Sequence, residues 1–167
     1  MKRLHLICNA HLDPIWQWEW EEGAAAALST FQSAANLAEK YDYIFCHNEV
    51  HLYKYTEKYA PALFAQIQKL VKQGKWHIMG GWYLQPDCLM PSGEGMLRQI
   101  REGELYFKEK FGVMPTTAVN FDPFGHSRGL VQILKKCGQD SYMFMRPYGK
   151  YMPYPQLDLP SECFVWE

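Results

Sequence analysis

Two stretches, HLDPIW at residues 11–16 and NFDPFGHS at residues 120–127, each finish an apolar run with Asp-Pro and place an aromatic residue shortly after. Proline has no amide hydrogen with which to continue a ladder, and it pushes the residue before it toward extended geometry. Asp13 and Asp122 are therefore expected at frayed strand ends. In extended backbone, residues two apart face the same side, so His11 and Asp13 can point at one spot. An imidazole nitrogen with carboxylate oxygens is a donor set suited to zinc or another divalent cation. With Asp122 added, three such groups drawn together need a cation or other partners to offset repulsion and desolvation. For His11 and Asp13 alone, a hydrogen-bonded pair without metal is the simpler alternative.

The surroundings of these residues suggest how a ligand could be held. Trp16, Trp18 and Trp20 alternate along the chain. Such a series usually packs into a core or an interface, but at the rim of a site an indole face can stack on the apolar face of a sugar ring. Trp16, Trp82 and Phe124 are the candidates for that role. Arg146 closes the run SYMFMR, where a guanidinium would keep a nearby carboxylate ionised and oriented; an ordinary surface ion pair is the alternative.

Other groups carry less. HNEVH, residues 47–51, lacks the H-E-x-x-H order of a zinc protease and reads as a strand end followed by a helix start. Asp87 and Glu94 could act as acid/base groups, although Glu94 is more simply a favourable charge at a helix N-terminus. His126 and Ser127 look like a helix start, with Ser127 as the cap. The chain has no G-x-S-x-G elbow, P-loop or G-x-G-x-x-G, so serine hydrolase and nucleotide readings have no motif.

The elements that must position these residues alternate between short apolar runs and longer helical patterns, the rhythm of βαβ units. Strands are expected at RLHLICNA, YIFCH, KWHIMG, TTAVNF and SYMFMR, with ECFVWE as one more. Helices are expected at GAAAALSTFQSAANLAEKY, at two segments divided before Pro61 and ending at Gly74, at EGMLRQIREGELYFKEKFG and at SRGLVQILKKCG. In the first helix, Ala27, Phe31, Ala34, Ala35 and Ala38 form the apolar stripe. Crossovers of this length imply a mainly parallel sheet, and ligands of such sheets bind beyond the carboxyl ends of the strands. Those ends carry His11 with Asp13, His47, Gly80 to Trp82, Asp122 and Arg146.

The 167 residues are 48% hydrophobic and 21% charged, with a net charge of −1. This composition suits one globular α/β domain and gives no electrostatic footprint for nucleic acid. Neither a membrane-length apolar run nor a signal-peptide pattern is present, so a cytoplasmic address is expected. Five scattered cysteines, Cys8, Cys46, Cys88, Cys137 and Cys163, fit reduced packing residues better than a disulfide framework. The last residues are strand-like with no closing helix, so residues 1–167 are read as one domain cut short, and a homo-oligomer formed through regions beyond it stays open.

Taken in order, HLDPIW, CHNEVHLYKYTEKYAP, GKWHIMGGWYLQPDCLMPSGEGMLRQI, NFDPFGHS and YMFMRP resemble the N-terminal catalytic region of the zinc-dependent α-mannosidases of glycoside hydrolase family 38. The resemblance implies a truncated, seven-stranded α/β barrel-like domain that binds one zinc ion and acts on carbohydrate, hydrolysing α-mannosides with retention. It makes His11 and Asp13 the first two metal ligands and Asp122 both ligand and nucleophile. Trp16 and Phe124 would stack on the sugar, and Arg146 would lie beside the nucleophile. The fourth ligand and the leaving-group acid would come from beyond residue 167, leaving these residues alone inactive or nearly so. A metal-dependent polysaccharide deacetylase and a non-catalytic sugar- or metal-binding fragment are the competing readings.

Overall fold

The computed structural model describes residues 3–146 and Val165. Among the described residues, four strands are interspersed with five helices: α1 (Trp20–Lys40), β1 (Phe45–Glu49), α2 (Val50–Tyr59), α3 (Pro61–Lys72), β2 (Trp76–Trp82), α4 (Gly93–Phe111), β3 (Thr117–Asn120), α5 (Gly129–Lys136) and β4 (Ser141–Phe144). β1 pairs with β2, and β3 with β4, both in parallel. This is the α/β architecture of parallel strands joined by helical crossovers that the alternating pattern implies. The expected ECFVWE strand lies outside the described residues, apart from Val165.

Local chemistry explains the helix boundaries. Pro61 cannot follow a helical turn with an amide bond of its own, so α2 stops at Tyr59 and Pro61 begins α3. Ser92 caps α4, its hydroxyl accepting from the Gly95 amide, and Gly112 ends the helix in the left-handed region at φ 71°. The expected stripe of α1 is buried as drawn, with Ala27, Phe31, Ala35 and Ala38 fully enclosed. The helix itself begins earlier, at Trp20. It joins Tyr53, Ile67, Leu70, Trp76 and Phe107 in the main core.

Two expectations require correction. The first run, RLHLICNA, is not a full strand: only Cys8 bridges β1, at Phe45, while Leu4 and Leu6 are 81% and 78% exposed. Among the described residues no strand flanks its other edge, so few ladder bonds form. Ser127 is not a side-chain cap either. Helix α5 starts one residue later, with Arg128 at its N-cap position, and Ser127 contributes its carbonyl to the Leu130 amide at 3.0 Å.

Candidate metal centre

His11 reaches the strand ends through backbone pairing just upstream of it. The Cys46 amide donates to the Cys8 carbonyl at 2.7 Å, and the Asn9 side-chain amide donates to the Cys46 carbonyl at 2.8 Å. These two bonds clamp residues 8 and 9 alongside β1, and the extended chain then delivers His11 and Asp13. Asp122 arrives from β3, two residues past its last member.

The three side chains meet. His11 Nε2 lies 3.5 Å from Asp13 Oδ1 and 3.9 Å from Asp122 Oδ2. One donor atom from each lies within 4.8 Å of the others. Around a tetrahedral cation with bonds of about 2.1 Å, neighbouring donor atoms stand about 3.4 Å apart. The spacing and the nitrogen-and-oxygen chemistry therefore fit a small divalent ion, with room for further ligands on the exposed side.

Arg146 lies against the opposite oxygen of Asp122, pairing with Oδ1. Its guanidinium carbon also sits 5.6 Å from the centre of the Phe124 ring. His126 steadies this end of β4, with Nε2 2.8 Å from the Arg146 carbonyl and Nδ1 3.2 Å from the Tyr142 hydroxyl. Asp122 is thus held between His11 on one side and Arg146 on the other. Trp16 and Phe124 are 65% and 69% exposed.

Trp82 does not join them. It is fully buried, and its indole N–H donates to the Val119 carbonyl at 2.7 Å. Its role is to tie β2 to β3 within a second core cluster formed with Met96, Ile100 and Leu130. The preceding Gly80 and Gly81 take positive φ values of 89° and 71°, a backbone conformation that favours glycine.

The strand-two polar groups are also interior. His47 is fully buried, edge-on to Phe31, and accepts from the Glu49 amide at 3.4 Å. Burial lowers its pKa from 6.5 to about 3, and the neighbouring His11 imidazole adds to the effect. Glu49 is 2% exposed, and burial raises its carboxyl from 4.5 to about 7, against the stabilising hydrogen bonds of Gln85. Asp87 is spent on a turn, its Oδ1 accepting from the Leu89 and Met90 amides at 2.8 Å each. Glu94 lies in the first turn of α4 and pairs with Arg98 at 2.8 Å.

Sequence reasoning passed over Gln85, in a loop legible only as rich in proline and glycine. Its backbone amide donates to Glu49 Oε1 at 3.1 Å, its Oε1 accepts from the Phe121 amide at 2.6 Å, and its Nε2 lies 3.3 Å from His11 Nδ1. Asn120 holds the same loop, donating to the Pro86 carbonyl at 2.6 Å. The available signal was the position of Gln85, between a strand end and the Asp-bearing strand.

The sequence profile described as the glycosyl hydrolases family 38 N-terminal domain matches residues 1–167. Alpha-mannosidase 2C1 of Mus musculus is 27% identical over 165 residues, covering 98% of this chain and 16% of the relative. Alpha-mannosidase G of Dictyostelium discoideum is 25% identical over 167 residues, covering 99% of this chain and 15% of the relative. The chain therefore spans about one sixth of the length of these relatives. An alpha-mannosidase structure from Enterococcus faecalis shares the fold, with a TM-score of 0.76 at 20% identity, covering 83% of this chain and 16% of that one. With the profile running from the first residue to the last, the chain belongs to glycosyl hydrolases family 38, as part of its N-terminal domain.

Proposed function

We propose that residues 1–167 form the N-terminal part of the catalytic domain of a zinc-dependent, retaining α-mannosidase that releases terminal α-linked mannose. The observation that carries this reading is the meeting of His11, Asp13 and Asp122 at one rim, in a chain matched along its length by the family 38 domain. His11 Nε2 and the two carboxylates would hold the ion. When bound, it supplies positive charge that orients neighbouring sugar hydroxyls and favours distortion of the ring.

The chain's own residues do the rest. The Asp122 carboxylate attacks the anomeric carbon, the bond to the leaving oxygen breaks, and a glycosyl ester forms; water then attacks the same carbon, loses its proton to the group that had protonated the leaving oxygen, and frees the carboxylate. Arg146 keeps that carboxylate charged and turned toward the sugar. Trp16 and Phe124 stack on the ring. The proton for the leaving group comes from a carboxyl group outside residues 1–167, placed about 5–5.5 Å from Asp122 as retaining chemistry requires; Asp87, committed to its turn, is not that group. No described helix is long and apolar enough to cross a membrane. A cytoplasmic setting is part of the proposal, supported by free thiols at Cys8, Cys46, Cys88 and Cys137.

The family match favours a glycosidase over a deacetylase. In the intact protein, Asp122→Ala is expected to abolish nitrophenol release from an aryl α-mannoside while circular dichroism stays unchanged. Near-normal turnover in that variant rejects the nucleophile assignment.

A further inference from the structure

We infer that Gln85 is a positioning residue that sets the tautomer of His11 and thereby the readiness of the site for a cation. The inference rests on the proposed metal reading of His11, Asp13 and Asp122, but its own observation is independent of any ion.

A carboxamide has one accepting and one donating end, and the neighbours decide which faces where. The Phe121 amide can only donate, and it stands 2.6 Å from Gln85 Oε1, so that end of the side chain is fixed as the acceptor. The other end, Nε2, must then donate, and it faces His11 Nδ1 at 3.3 Å. The third bond, from the Gln85 backbone amide to the buried Glu49 carboxylate, anchors the loop from below. One residue therefore joins the His11 segment, the end of β1 and the backbone next to Asp122.

A neutral imidazole carries a single proton. With Nδ1 accepting from Gln85, that proton sits on Nε2, the atom facing Asp13 Oδ1 and Asp122 Oδ2 at 3.5 and 3.9 Å. An imidazole N–H then stands on the side of the two carboxylates. Coordination through Nε2 needs the opposite tautomer, with the proton on Nδ1 and an acceptor beyond it. Gln85 presents a donor there, and its acceptor end is already taken by Phe121. A carboxylate at position 85 would accept from both the Phe121 amide and His11 Nδ1–H.

The test is Gln85→Glu in the intact protein at pH 8. In chelator-treated, ¹⁵N-labelled protein, the His11 ring nitrogens are expected to report the Nε2–H tautomer in the wild type and Nδ1–H in the variant. By calorimetry, zinc chloride is expected to bind the variant about 10- to 100-fold more tightly, the range typical of groups that orient a metal-binding histidine. This gain should vanish in a His11→Ala background, which separates tautomer control from added negative charge. An Nδ1–H tautomer in the wild type, an unchanged zinc affinity in the variant, or the same gain without His11 would overturn the inference. Absence of zinc binding in the wild type would instead defeat the metal reading, while the tautomer measurement would still decide the role of Gln85.

Discussion

His47→Gln and Glu49→Gln are expected to tilt the pH dependence of stability in opposite directions. Both residues are buried at the end of β1, 0% and 2% exposed. Burial takes His47 from 6.5 down to about 3 and Glu49 from 4.5 up to about 7. Between pH 4.5 and 6.5 the unfolded chain therefore holds one more proton at position 47 than the folded one, so His47 makes stability rise with pH. At position 49 the folded chain holds the extra proton, so Glu49 makes stability fall with pH. Each contribution changes by about 2 kcal/mol across this window, from about 1.36 kcal/mol per unit tapering at the edges. In the wild type they nearly cancel. Urea unfolding with chelator at pH 4.5, 5.5 and 6.5 reads the difference from wild type. On acidification from 6.5 to 4.5, His47→Gln should gain about 2 kcal/mol relative to wild type and Glu49→Gln should lose about 2 kcal/mol. Difference profiles that are flat for both variants would refute the assignment of a neutral histidine and a protonated acid beneath the site.

Trp82→Phe should cost about 1–3 kcal/mol in urea unfolding, because the Val119 carbonyl loses its buried donor, and it should leave the KM for an aryl mannoside unchanged; a raised KM at unchanged stability would restore Trp82 to the sugar-binding rim. Gly103→Ala would drive a methyl group into the Gly81 carbonyl, where α4 crosses β2. It should destabilise by about 1–3 kcal/mol, and an unaltered melting temperature would contradict that packing. Arg146→Met should lower kcat about 100-fold with KM little changed, since Asp122, the proposed nucleophile, would lose the partner that orients it; wild-type kcat would reduce the pair to a surface contact.

Local rules carried the crossovers well. Pro61, Ser92 and Gly112 act through their own backbone chemistry, so the helix boundaries they set were readable one residue at a time. His11 and Asp13, two residues apart, do meet, although the residues that carry them form no strand. Asp122 could be added because parallel sheets gather their carboxyl ends at one edge. What escaped reading depended on neighbours remote in sequence. Trp82 is interior because Val119 offers it an acceptor 37 positions later. RLHLICNA has the composition of a strand but lacks a second edge partner among the described residues. Gln85 acquires its role from His11, 74 positions earlier, and from Phe121, 36 positions later. No window around it contains that information.

The proposed activity depends on one cation shared by three side chains. The most direct measurement is an anomalous difference map, recorded at the zinc edge, from a crystal of the intact protein soaked in a zinc salt. One peak is expected, bonded at about 2.0–2.2 Å to His11 Nε2 and to an oxygen of both Asp13 and Asp122. Zinc bound only elsewhere on the chain, with these three side chains still paired among themselves, would contradict it.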